Sequence, residues 1–277
     1  VTAPPERRRA GLVSVIMPTY NHARFIGKAV ESVLGQSYPD LELIVVDNHS
    51  KDATEEIVRS FGDARVKYVK FFNNGVIAAS RNHGLRLAGG EFSAFIDSDD
   101  LWLPAKLEKQ AAALGSDPGA AMVYSRYRTI AGETVSGPVL PKDGRCPGGE
   151  IFRDIYLRHF IACSGVLVRR EVLDRTGFFD EAPALTAAED TDLWLRVAAE
   201  GRILCASEEP LFLYRVHAGN ASGGRWKRYL LDLALARRYR AKAGFAAFGA
   251  AALLMSASFL KRTAADFVNK AGAREPR

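Results

Sequence analysis

Phe95-Ile96-Asp97-Ser98-Asp99-Asp100 is a short apolar run that stops abruptly in three carboxylates. Strands buried on both faces of an α/β sheet read as such continuous runs, and ligands bind just beyond their C-terminal ends. Carboxylates crowded there repel one another unless a cation neutralises them, and a hard divalent ion takes one or two carboxylates plus substrate phosphate oxygens. A metal–diphosphate site and a solvated, Asp-capped turn are the two readings of this stretch taken alone.

Working outward, Leu43-Ile44-Val45-Val46 is a second buried run, closed by Asp47-Asn48-His49-Ser50-Lys51-Asp52. Val13-Ser14-Val15-Ile16-Met17 is another, closed by Pro18-Thr19-Tyr20-Asn21. A helical rhythm follows each strand end: Phe25, Ile26, Ala29, Val30, Val33 and Leu34 after the first, Ile57, Val58 and Phe61 after the second, Leu107 and Ala111 after Pro104. Strands alternating with helices predict a parallel sheet with right-handed crossovers, which puts the polar clusters on one rim.

Pro-Thr-Tyr-Asn at 18–21, Val-Val-Asp-Asn-His-Ser-Lys-Asp at 45–52, Ala-Ser-Arg-Asn-His-Gly at 79–84, Asp-Ser-Asp-Asp at 97–100 and Glu-Asp-Thr-Asp-Leu-Trp-Leu-Arg at 189–196 follow in order. This ordered set resembles family 2 glycosyltransferases over residues 12–222. The resemblance implies a GT-A fold: an α/β, Rossmann-like, mostly parallel sheet flanked by helices, here with a C-terminal helical extension. It also implies a nucleotide-sugar donor, UDP-sugar favoured, a divalent cation (Mn²⁺ or Mg²⁺) and inversion at the anomeric centre. Asn48 and His49 stand where the family has Asp-Gly.

The resemblance assigns residues. Pro18, Thr19, Tyr20 and Asn21 form the donor-binding rim, with Tyr20 on the base or simply a half-buried aromatic. Asp47 accepts from the base N–H or caps its own turn. Arg81 reaches phosphate or the metal-bound carboxylates. Asp99 is the metal ligand, Asp97 shares the ion or holds the ribose, Ser98 lies between them, and Asp100 is read as a helix cap ahead of Pro104. His217 approaches the metal or diphosphate, with Arg215, and more weakly Ser222, near the phosphates. Asp190 is the general base and Glu189 its support or an acceptor-hydroxyl ligand, with Asp192 a structural helix residue. Acidic residues in a first helical turn are also favoured by the macrodipole alone.

The parts suit an in-line displacement: a cation for the diphosphate leaving group and a separate carboxylate to deprotonate the acceptor hydroxyl. A sugar nucleotidyltransferase would carry a Gly-rich phosphate loop after the first strand, and Pro18-Thr19-Tyr20-Asn21 is not one. A non-catalytic sugar-nucleotide-binding module would lack one acidic cluster, and both are here. A P-loop phosphotransferase is excluded by the absence of GxxxxGK[ST].

With 277 residues, 48% hydrophobic and 25% charged, the chain can bury a full core as one large domain. Expected boundaries are a basic lead-in at 1–11, a catalytic domain at 12–222 (nucleotide-sugar half 12–126, acceptor half 127–222) and helices at 223–277. The strand Ala121-Met122-Val123-Tyr124 closes the first half, and a hairpin and loop open the second. Cys146, Cys163 and Cys205 are odd in number and lack CxxC spacing, which argues against a disulfide framework and for a reducing cytoplasm. No signal-peptide pattern precedes the first strand. The net charge of +6 is thickest in the tail, without an RNA-binding motif, so no nucleic-acid partner is expected. A glycan or lipid-linked acceptor and a membrane surface are the expected partners. Residues 237–262 flank an uncharged stretch with basic residues. Phe245, Phe248, Ala252, Met255 and Phe259 make one apolar stripe there. That stripe suits a peripheral contact on the cytoplasmic face of the membrane, a helix covering the domain, or a homodimer seam.

Overall fold

The computed structural model describes residues 8–141, 144–217 and 225–257. In chain order the elements are β1 (Arg9–Thr19), α1 (Ala23–Leu34), β2 (Leu41–Asp47), α2 (Thr54–Ser60), β3 (Val66–Lys70), α3 (Ile77–Leu87), β4 (Gly90–Phe95), β5 (Leu101–Trp102), α4 (Lys106–Ser116), β6 (Ala120–Ala131) and β7 (Thr134–Leu140). There follow α5 (Phe152–Arg158), β8 (Val166–Arg169), α6 (Arg170–Thr176), α7 (Glu189–Glu200), β9 (Arg202–Arg215), α8 (Arg225–Arg238) and α9 (Arg240–Ala243). A further helical run occupies 245–257.

The sheet runs β3-β2-β1-β4-β8-β6-β9-β5, with β7 on β6. Its first four strands are parallel, as the alternation predicted, and register sets the rim: Thr19 lies beside Asp47, and Ile16 beside Phe95. Three polar strand ends therefore share one edge. β8 then enters antiparallel between β4 and β6, and β9 runs parallel to β6. The strand expected at 121–124 extends on through residue 131, where it turns back as the β6–β7 hairpin.

Packing explains why the pieces sit where they do. β2 is buried along its whole length, and α1 buries Ile26, Ala29, Val30 and Val33, the stripe its spacing predicted. α3 lies close on β1 because residue 84 is glycine: a methyl group there would come within 2.6 Å of Ile16 Cγ2. That approach brings Arg81, one turn earlier, to the rim. On the other half, α7 presses Leu193, Trp194, Leu195 and Val197 into the core with no exposure.

Three expectations are corrected. β1 begins at Arg9, with Arg9 N–H bonded to Gly89 O, so the lead-in is shorter than 1–11. Cys146 and Cys205 are a disulfide pair, their Cα atoms 5.8 Å apart. Their distance in sequence hid this: Gly149 bridges to Ile203 and lays the loop beside β9. The tail stripe is not one face: Phe248 and Met255 pack on the core with Ala247 and Ala251, as the alternative of a helix covering the domain expects, while Phe245 of the same stripe is exposed. Phe259 lies outside the described residues, as does Ser222. Among the described residues no helix is long and apolar enough to cross a membrane.

Candidate active site

The turn after β4 is held from several sides. Asp100 N–H bonds back to Asp97 O, and Asp97 N–H donates to Ser164 Oγ at 3.0 Å. Asp100 is no helix cap, since the residue before α4 is Ala105 and it makes no side-chain cap bond. Instead Asp100 is buried, accepting from Ser164 Oγ at 2.6 Å and from Arg215 N–H at 2.8 Å. Burial, then the neighbouring charges of Asp97 and Asp99, push its carboxyl well above the ordinary range, against the pull of those two donors. Asp-rich spacing alone could not separate a cap from a buried anchor.

With Asp100 turned inward, Asp97 and Asp99 part company. Asp99 Oδ2 meets His217 Nε2 at 2.8 Å, and the His217 ring stacks on Phe25. Asp97 Oδ1 accepts instead from Arg81 Nη2 at 2.8 Å. The expected ligand trio of Asp97, Asp99 and His217 is thus drawn together only as the Asp99–His217 pair. Among the described residues no three His, Cys, Asp or Glu side chains gather around one point. One carboxylate and one imidazole, both partly covered, are donors that still suit a divalent ion completing its shell with diphosphate oxygens. Ser98 accepts or donates to His22 Nδ1 at 2.7 Å, a partner the sequence reading missed although His22 follows the first strand end directly.

Arg81 is 3% exposed and spans both acidic clusters, its Nη1 donating to Glu189 Oε1 at 2.8 Å. Burial alone would lower its pKa, but Cys163, Asp97 and Glu189 together raise it well above the ordinary value. Glu189 Oε2 accepts from Ala187 N–H, so both its oxygens are committed. Asp190, next along, is half-buried and takes Thr191 N–H at 2.7 Å. Asp192 is wholly buried and bonded to Arg196 at 3.0 Å and Tyr239 at 2.8 Å, a structural position as expected.

At the far end of the rim, Asp47 is buried and accepts from Ser50 N–H, Ser50 Oγ and Tyr68 Oη, so it caps its own turn. His49 takes φ +57°, the conformation that makes glycine the usual occupant of such a turn. Tyr20 is 49% exposed, while Pro18 and Thr19 are buried in β1 with the Thr19 hydroxyl lacking a partner. Asn21 Oδ1 accepts from Lys51 N–H, tying the first two strand ends together. Arg215 is buried: Nε donates to Asp99 O at 2.7 Å and Nη1 to Gly132 O at 2.6 Å, so it braces the Asp99 turn from behind. Ser164, the other brace, carried no signal in the sequence.

Residues 14–177 match the model of the family described as Glycosyl transferase family 2. Escherichia coli WfaP, a UDP-Glc:α-D-GlcNAc-diphosphoundecaprenol β-1,3-glucosyltransferase, is 32% identical over 219 residues, 79% of this chain and 83% of WfaP. TuaG of Bacillus subtilis (strain 168), a glycosyltransferase named for teichuronic acid biosynthesis, is 34% identical over 78% of this chain and 83% of its own length. S. aureus TarS 1–349 in complex with UDP-GlcNAc superposes with a TM-score of 0.65 at 25% identity, over 83% of this chain and 66% of that one. The mannosyltransferase PcManGT from Pyrobaculum calidifontis, solved with GDP-Man and Mn²⁺, shares the fold with a TM-score of 0.64 at 23% identity, over 94% of this chain and 79% of its own.

Proposed function

The chain belongs to glycosyl transferase family 2, and on that premise we propose that it moves a sugar from a UDP-sugar to an acceptor hydroxyl with inversion, in cell-surface glycan synthesis. One observation carries the reading: the Arg81 guanidinium reaches Asp97 and Glu189 at 2.8 Å each. The leaving-group end and the base-bearing helix α7 are therefore one arginine apart.

The residues divide the work. Tyr20 and the Asp47 turn border the base, and Asp97 the ribose. Asp99 and His217 hold the divalent cation, which when bound offsets the charge that develops on the diphosphate. Asp190 takes the proton from the acceptor hydroxyl as it attacks the face opposite the nucleotide. Glu189, fixed by Arg81 and Ala187 N–H, supports the start of α7 beside Asp190. Residues 12–126 serve the donor and 127–222 the acceptor.

UDP is favoured because the name of WfaP specifies UDP-Glc and TarS was solved with UDP-GlcNAc. A lipid-linked or glycan acceptor is favoured by the diphosphoundecaprenol in the WfaP name and the polymer in that of TuaG. The exposed Arg237, Arg240 and Lys242 beside exposed Phe245, Leu253 and Leu254 suit contact with an anionic membrane face on the cytoplasmic side. The test is Asp190→Asn, which keeps the shape but cannot accept a proton. Sugar transfer from UDP-glucose to a synthetic GlcNAc-diphospholipid should fall by roughly 10² to 10⁴ with UDP affinity unchanged. A folded variant with near-parental turnover would remove Asp190 as the base.

A further inference from the structure

The helices at the C-terminal end look in sequence like an appendage to the catalytic domain. They touch the base-bearing segment in three ways. First, Leu231 and Leu235 of α8 are buried in a small cluster with Leu185 and Ala188, the residues that lead into Glu189. Second, Asp192, fully buried in the first turn of α7, accepts from Tyr239 Oη at 2.8 Å, and Arg238 Nη1 lies 3.4 Å from the same oxygen. Third, Arg238 Nη1 also bonds Asp180 Oδ2 at 2.9 Å. Asp180 lies with Val76, Ile77, Thr186 and Glu189 around one shallow surface depression.

The segment so held is one that needs holding. Ala187 sits at φ +74°, a left-handed conformation that costs a non-glycine residue of order 1–3 kcal/mol and persists only where its surroundings enforce it. Its N–H is spent on Glu189 Oε2 at 2.7 Å. The strain thus lies three residues before the proposed base, and α8 packs on both sides of it, at Leu185 and Ala188.

We infer that Tyr239 and Arg238 are positioning residues for the transfer step. Through Asp192 and the 183–188 segment they fix the first turn of α7, and so the Asp190 carboxylate, relative to the donor rim. This rests on Asp190 being the base. It gives the helical extension a part in turnover that is separate from any contact it makes outside the chain. A displacement of about 1 Å at a reacting group costs up to roughly 10²-fold in rate.

The experiment uses the full chain and four proteins: parent, Tyr239→Phe, Asp190→Asn and the double variant. Arg238→Gln stands in for Tyr239→Phe if that variant does not fold. Turnover is followed as UDP release from UDP-glucose, UDP affinity by calorimetry, and backbone mobility by amide hydrogen exchange. Tyr239→Phe should lower kcat by about 10 to 10² with donor KM and UDP affinity unchanged. Exchange should quicken at least about tenfold in 183–192 and not in β1, β2 or β4. In the Asp190→Asn background the same substitution should cost no further turnover, because the group it positions is gone. Parental exchange in 183–192, kcat within twofold of the parent, or an equal loss in both backgrounds each overturns the inference. Parental turnover in Asp190→Asn alone would instead overturn the base assignment.

Discussion

Replacing Arg81 by Met should destabilise the protein by about 3–5 kcal/mol, the cost of breaking a buried ion pair from one side. The magnitude follows from the unequal burial of its partners. The Asp97 side chain keeps 31% of its surface in water and can be solvated when the guanidinium leaves, but Glu189 keeps only 6%. Exposed pairs are worth no more than about 1 kcal/mol, so nearly all of the loss arises at Glu189. Against a typical total stability of about 5–15 kcal/mol, the variant remains measurable at low temperature. Urea denaturation gives the number, and the double variant Arg81→Met/Glu189→Gln identifies its origin. Neutralising the stranded carboxylate should restore most of the loss, giving a coupling energy of at least about 2 kcal/mol. A single-variant loss below about 1 kcal/mol, or a double variant no better than the single, would show that Glu189 is solvated and that Arg81 does not link the two clusters.

Other consequences are open to direct measurement. Asp99→Asn should abolish the Mn²⁺-dependent part of UDP binding in calorimetry while the fold stays intact; unchanged Mn²⁺ dependence would remove Asp99 as the ligand. Lys106 is buried over the Trp102 ring, and burial, opposed only by Cys163, holds its pKa well below the usual value. A depressed lysine means that the unfolded chain binds the extra proton, so its contribution to stability rises with pH up to about 10.4. Lys106→Met should therefore flatten the alkaline side of the stability–pH curve, and an unchanged slope in denaturation at a series of pH values contradicts this. The full chain should float with anionic liposomes at low salt and be released at high salt; a chain left at the bottom in both is not a membrane-surface protein.

What could be read in advance was whatever is encoded locally. The buried runs of β1, β2 and β4, and the polar residues that end them, needed only period and composition, and their parallel pairing followed from the helices between them. Candidate positions could be picked out where a polar cluster interrupts an apolar pattern, as with Asp99, Arg81 and the Glu189-Asp190 pair, and the structure places Arg81 between Asp97 and Glu189. Long-range partners were not legible. Nothing near Asp100 announces that Ser164 and Arg215 will bury it, nor near Cys146 that β9 will bring Cys205 alongside. The tail left its alternatives open for a related reason: periodicity shows that a face exists, and only packing shows which face is covered.

The contacts that assemble the site join residues far apart along the chain, 64 positions for Asp100–Ser164, 108 for Arg81–Glu189 and 118 for Asp99–His217. Closing loops of this length costs entropy before it returns any contact energy, which slows folding. During synthesis the parallel strands β1 to β4 emerge first and can pair, while the Arg81 guanidinium waits for its second carboxylate until α7 has been made. The order of synthesis therefore leaves Arg81 with only one of its two carboxylates, Asp97, at the edge of an otherwise complete half-sheet. Folding intermediates are expected to keep α3 loosely docked until the second carboxylate arrives, and pulse-labelled amide exchange during refolding should show α3 gaining protection together with α7 rather than with β1.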